Sequence, residues 1–323
     1  MSRTRLYRHG ALEAEDFPAT EISDYLADPS SVVWFDLCDP TAEELASISE
    51  ELGLHPLAVE DAVNQHQRPK LDRYDSHLFL NAYAVEFDEL SGHLVNHEVA
   101  AFITHSALVT VRKSGRFQID QVVARWDRDR DLARFGAGFL VYGLVDYVVD
   151  THFEAVQALD TQIEALEEQL FENNPKDDGL QRRTFELRKS LVSLRRVVLP
   201  MREVVNTLLR RDQHTMQDEM LPYFQDVYDH VLRATEWTES LRDLVSTIFE
   251  TYLTVRSNRL NVIMKQVTSW AAIIAVPTAV TGFYGQNVPY PGFAHASGFW
   301  TSTLVTVGLS GVLFVAFRRK DWI

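Results

Sequence analysis

Cysteine is almost missing from this 323-residue chain. Cys38 stands alone, a usage that fits a reducing compartment. It closes the apolar run Val32-Val33-Trp34-Phe35-Asp36-Leu37 and reads as a buried strand thiol. Positive charge is also short: 31 Lys and Arg against 46 Asp and Glu leave a net charge of −15. That balance argues against nucleic acid or anionic lipid as partners of the soluble part. Gly-rich phosphate loops, a Ser/His/Asp order and Cys-x-x-Cys are missing, so nothing supports an enzyme. His152, His214, His230 and His295 lack the i, i+4 or Cys-partnered spacing of a metal site and read as surface or interface histidines. No apolar segment follows the basic residues near the start of the chain, so no signal peptide is expected. Long apolar runs are confined to the final fifth, and a mean hydropathy of −0.14 marks the rest as soluble.

That final fifth carries the most information. An apolar helix from Val267 to Tyr284 closes in Tyr284-Gly285-Gln286-Asn287, and a second apolar run, Gly298 to Phe317, is 20 residues without a charge. Twenty residues make about 30 Å of helix, the thickness of a hydrocarbon core. The first run contains Pro277 and Gly282. Such residues are tolerated in a span when neighbouring helices re-satisfy the freed backbone groups, which points to a span packed inside an oligomer. Arg318-Arg319-Lys320 follow the second run, while Gln286 to Ser297 has no Lys or Arg. The positive-inside bias puts the C-terminus in the cytosol, and two spans put the N-terminal part there too. At the hairpin apex the Asn287 amide can accept hydrogen bonds from metal-bound water without demanding dehydration. The chain reads as an ion-conducting membrane protein with a large soluble domain.

The expected fold class is α+β. A cytosolic α/β sandwich (1–135) precedes a helical hairpin (136–220), a stalk helix (221–266) and a two-span transmembrane hairpin with a basic tail (267–323). Strands are expected at Thr4–Arg8, Val32–Cys38, Leu78–Glu86, Leu94–Ile103 and Ala107–Arg112, with helices at Ala42–Leu52 and Pro56–Val63. Thr41 and Glu44 have capping-box spacing. Phe139 to Phe171 carries a sustained helical stripe, stopped by Asn173-Asn174-Pro175, and Leu180 to Arg211 returns antiparallel with a kink at Pro200. Acids from Glu154 through Glu172 to Asp178 form either a solvated face or a cation-concentrating surface. From Leu221 no convincing breaker occurs before Pro277; read to Tyr284, the helix would be about 90 Å long and would need copies of itself as partners.

If the first span lines a pore, one face holds Met264, Val267, Ala271, Ala275, Thr278 and Gly282. Above Val267 every member is small, which suits either an open bore or close helix packing. Ser257 to Lys265, the Pro-Thr and Tyr-Gly-x-Asn elements, Val59 to Lys70, Pro222 to His230 and the terminal Arg-Arg-Lys-Asp-Trp-Ile together resemble the CorA family of divalent-cation transporters. The matches run in the family's order from about residue 55 to 323.

The resemblance implies a homopentameric funnel in the plasma (inner) membrane, carrying Mg²⁺ and divalent ions of the Co²⁺ and Ni²⁺ class. It implies a filter of Gly285, Gln286 and Asn287, a polar ring at Thr278, an apolar constriction at Met264 and Val267, and Asn261 at the cytosolic end. It further implies regulatory Mg²⁺ between subunits, held by Asp61 with Asp226 and by Glu60 with Asp146. Two departures stand out: Gln286 replaces the family's usual Met, and the loop Val288 to Ala296 has no acid. Relatives that move Zn²⁺ also vary the middle position, so the alternatives are a Zn²⁺ or other transition-metal transporter, or a membrane-anchored Mg²⁺ sensor that does not conduct.

Overall fold

The computed structural model describes residues 2–64, 67–88, 92–170, 177–211 and 217–323. The breaker Asn173-Asn174-Pro175, Glu172, His214, and Gln65 and His66 of the family-like motif lie outside them. The described chain divides into two compact units, Met1–Ile248 and Phe249–Ile323.

The first unit is built on a seven-stranded sheet: β1 (Ser2–Arg8), β2 (Ala11–Glu15), β3 (Ser31–Cys38), β4 (Lys70–Arg73), β5 (Leu78–Asp88), β6 (His93–Ile103) and β7 (Ala107–Arg112). Their order is β2-β1-β3-β7-β6-β5-β4. Only β3 and β7 pair in parallel, with Phe35 opposite Val109; every other pairing is antiparallel. β3, β5, β6 and β7 contain near-continuous buried apolar runs because helices cover both faces of the sheet.

On one face lie α1 (Ile22–Leu26), α2 (Ala42–Leu52) and α3 (Pro56–Val63), packed over Phe35, Phe79, Phe102 and Val109. The capping box forms as expected: Thr41 Oγ1 accepts from the Glu44 amide at 3.2 Å, and Glu44 Oε2 accepts from the Thr41 amide at 2.8 Å. α3 begins with Pro56 behind His55, whose Nδ1 accepts from the Leu57 amide. The other face is covered by α4 (Ile119–Arg128), α5 (Ala137–Leu170), α6 (Asp177–Arg211) and the first third of α7 (Leu221–Tyr284). Trp34 meets Trp126 edge-on at 4.9 Å in that core. The α5 stripe is buried as its period demands, from Val141 through Leu159 to Leu170.

Three expectations need correction. Cys38 is half-buried rather than buried, because it ends β3 at the sheet's rim. His152 is not a surface histidine: it is 1 % exposed and bonds the Tyr83 carbonyl at 2.7 Å, tying α5 to β5. The strands β2 and β4 and the helices α1 and α4 add to the elements expected.

The second unit holds the rest of α7 and α8 (Ala296–Arg319). α7 is one helix of 64 residues that continues through Pro277. α8 begins at His295 and ends in Arg318-Arg319. Both helices are long and apolar enough to cross a membrane, and almost none of either apolar window is buried. A core helix of a soluble protein would show the opposite.

Candidate ion pathway and carboxylate sites

The apex between α7 and α8 is shaped by its own packing. The Gly285 amide bonds the Thr281 carbonyl at 2.8 Å and the Gln286 amide bonds that of Phe283. A Cβ at Gly285 would lie 2.9 Å from the Thr281 oxygen, so a side chain there would break the turn. Gly292 has φ +91° and meets Gly298, where a Cβ would sit 2.5 Å from the Gly292 oxygen. Tyr284, Tyr290 and Phe293 pack edge to face, with ring centres 4.9 and 5.3 Å apart. Gly285, Gln286 and Asn287 all remain exposed at this tip. Neither amide side chain has a protein partner among the described residues.

Along α7, Asn261, Met264, Val267, Ala271, Ala275, Thr278 and Gly282 are all exposed. Ser269 is fully buried, while Ala272, Ile273, Val276, Pro277 and Val280 are partly covered. Trp270 meets the Phe314 ring of α8 at 6.5 Å. The small-residue face is thus left uncovered by the chain's own second span. Thr278 donates its hydroxyl proton to the Ile274 carbonyl at 3.1 Å, which leaves its oxygen lone pairs directed outward as acceptors.

The four expected regulatory acids sit in the first unit with different surroundings. Asp61, on α3, is held by Lys70 Nζ at 2.6 Å, and the same ammonium bonds Asp72 at 2.6 Å. Burial disfavours the Lys70 charge, but its hydrogen bonds to Asp61 and Asp72 more than offset this and raise its pKa. Glu60 and Asp226 are exposed and unpaired among the described residues. Asp146 lies on α5 facing Asp150 and His230, whose ligand atoms all fall within 4.8 Å of one another. Arg125 bridges both acids, reaching Asp150 at 2.6 Å. Burial and then the Asp150 charge raise the Asp146 pKa, against the pull of Arg125.

Within one chain Asp146 is therefore grouped with Asp150 and His230, a set that sequence reasoning had not assembled. The signal was present: Asp146 and Asp150 are four residues apart on one helix, as are Asp226 and His230 on another. Tyr142 ties the group to Asp226, since after burial the fields of Asp146, Asp129 and Asp226 all raise its pKa.

The profile of the CorA-like Mg²⁺ transporter protein family matches residues 29–319. The chain belongs to that family. It is 30 % identical over 316 residues to the cobalt/magnesium transport protein CorA of Thermotoga maritima, covering 96 % of this chain and 90 % of that one. It is 24 % identical over 306 residues to the zinc transport protein ZntB of Yersinia pseudotuberculosis, covering 93 % and 90 %. The solved structure of the CorA magnesium transporter from Methanocaldococcus jannaschii superposes with a TM-score of 0.81 over 100 % of this chain and 99 % of that one, at 21 % identity. A sheet domain, a long helix and two spans are thus the fold of a CorA-family divalent-cation transporter.

Proposed function

We propose that the chain assembles as a homopentamer in the plasma (inner) membrane, with both termini cytosolic, and lets Mg²⁺ enter the cell. One observation carries this reading most: the face from Asn261 to Gly282 is exposed in the single chain, small above Val267, and leads to an unpartnered Asn287. Five copies packed around that face would line a bore. Asn287, with Gly285 and Gln286, would hold a hydrated ion at the entrance through amide oxygens. Thr278 would add a second polar ring, Met264 and Val267 an apolar constriction, and Asn261 the cytosolic mouth.

Closure would come from Mg²⁺ between subunits, shared by Asp61 and a neighbour's Asp226, and by Glu60 and Asp146. Mg²⁺ keeps several waters and binds through one or two carboxylates, so such sites can be weak enough to sense cytosolic concentration. Losing the ion leaves like charges facing each other, and their repulsion opens the assembly. Lys70 limits that repulsion, because its ammonium already pairs with Asp61 as well as with Asp72.

A second reading, transport of Zn²⁺ or of Co²⁺ and Ni²⁺, is favoured by Gln286 at the filter and by the imidazole of His230 beside two carboxylates. Uptake into proteoliposomes with Mg²⁺, Co²⁺, Ni²⁺ and Zn²⁺ separates the two. Mg²⁺ should enter well and slow its own entry from inside, and Asp61→Ala with Asp226→Ala should remove that slowing. Strong Zn²⁺ uptake that ignores internal Mg²⁺ would replace the first reading by the second.

A further inference from the structure

The apex between the spans holds one group that neither the filter nor the carboxylate sites use. Between Lys265 and Arg318 the sequence has no Asp, Glu, Lys, Arg or Cys, and its single histidine is His295. Tyr284 and Tyr290 add only neutral phenol hydroxyls to that stretch. An imidazole is the side chain whose ordinary charge change falls between about pH 5 and 8. His295 is thus the one place where this part of the chain can gain a charge near neutral pH.

His295 is exposed, yet its turn holds it in place. Its amide donates to the Gly292 carbonyl at 3.1 Å, and its carbonyl accepts from the Gly298 amide at 3.0 Å. On the side chain, Nδ1 lies 2.9 Å from the Phe293 carbonyl oxygen. A carbonyl offers only lone pairs, so Nδ1 carries the proton and Nε2 keeps the lone pair. Nε2 has no partner among the described residues. The same turn reaches the filter through its rings. Phe293 packs on Tyr290 at 5.3 Å, Tyr290 packs on Tyr284 at 4.9 Å, and Gly285 follows Tyr284 in the chain. Protonation at Nε2 breaks none of these contacts; it adds a positive charge to a fixed turn.

We propose that His295 makes cation entry depend on the pH of the outer solution: neutral imidazoles let Mg²⁺ approach the filter, and protonated ones repel it. The proposal deepens the transport reading above and rests on it, since only an outward-facing apex meets that solution. No carboxylate from Gln286 to Ser297 opposes the charge, and the proposed pentamer repeats it around one mouth. A fixed potential there changes the local concentration of a divalent ion by the square of its effect on a monovalent one. Added salt screens the charges and weakens the effect.

The test is Mg²⁺ uptake by the full-length protein in right-side-out membrane vesicles, at clamped membrane potential and fixed internal pH. Vesicles without the protein supply the blank. As the outer pH falls from about 8 to about 5.5, wild-type uptake should drop at least about threefold, and less in high choline chloride. His295→Gln should hold its alkaline rate across that range, and His295→Lys should be slow throughout, with assembly of both checked by size-exclusion chromatography. A wild-type rate that ignores the outer pH, or a pH slope that survives in His295→Gln, would overturn the proposal while leaving transport intact. No uptake at any pH would overturn the transport reading and the proposal with it.

Discussion

The two units of this protein solve opposite problems. In Met1–Ile248 the largest side chains are buried within the chain itself, and its innermost charges are paired there. Asp36 is 0 % exposed, accepts from Thr110 at 2.7 Å, and is clasped by Arg112, itself 6 % exposed. In Phe249–Ile323, by contrast, only Tyr252, Ser269 and Gly298 reach burial. Leu304, Val307 and Val312 are each about two-thirds exposed or more. An apolar surface of that extent does not persist in water. The first unit carries its stabilising partners in its own sequence; the second leaves its apolar surface to be covered from outside the chain.

The sharpest way to separate the units is to remove the asparagine amide we place at the centre of the filter. Asn287→Ala should lower Mg²⁺ uptake by about a hundredfold or more while leaving assembly and the first unit's unfolding unchanged, since the amide touches no other side chain. Near-normal flux in a correctly assembled variant would contradict the filter assignment.

The converse change disables the first unit only. Asp36→Ala strands the Arg112 guanidinium in the sheet and should cost about 3 to 5 kcal/mol of that unit's stability in denaturant unfolding. A loss below about 1 kcal/mol would mean that water reaches the pair.

A smaller effect of the same kind depends on pH. Full burial lowers the His152 pKa from 6.5 to about 4, against the opposing hydrogen bond with Tyr83. Between those values the unfolded chain binds a proton that the folded chain excludes. Stability should therefore be constant above pH 6.5 with respect to this group, and fall by up to about 3 kcal/mol as pH drops toward 4. His152→Gln should abolish that slope, whatever it does to the baseline; an unchanged slope would assign it elsewhere.

These contrasts also show what the sequence could reveal. Ala107–Arg112, Ala42–Leu52 and Pro56–Val63 fall where a short β-branched run, a capping box and an N1 proline place them. β2 and β4 were missed because they are short edge strands: β2 alternates without burying a residue, and β4 is Lys-Leu-Asp-Arg. α4 was legible but overlooked, since Ile119, Val122, Val123 and Trp126 have i, i+3, i+4, i+7 spacing among its charges. The small-residue stripe of α7 was readable because it lies on one helix. The clasp of Lys70 on Asp61 and the meeting of Asp146 with His230 were not, because they join residues from different elements and depend on how the sheet and helices pack.

The smallest expected change is at Gln286. Gln286→Met should alter Mg²⁺ uptake by no more than about threefold, because glutamine offers no thiolate, imidazole or carboxylate to strip water from a softer ion. Mg²⁺ transport that appears only in Gln286→Met would show that the glutamine itself sets ion choice.

The central claim is that the uncovered face of α7 becomes the wall of a water-filled bore. Single cysteines placed at Ala271, Ala275, Thr278 and Gly282, and at Ile273 on the opposite, partly covered face, in a Cys38→Ser background, test it through the rate of modification by a water-soluble thiol reagent in membranes. The stripe positions should react and lose uptake in step with modification, while Ile273→Cys stays unreactive. Equal reactivity at Ile273, or an inert stripe in a conducting protein, would contradict the account.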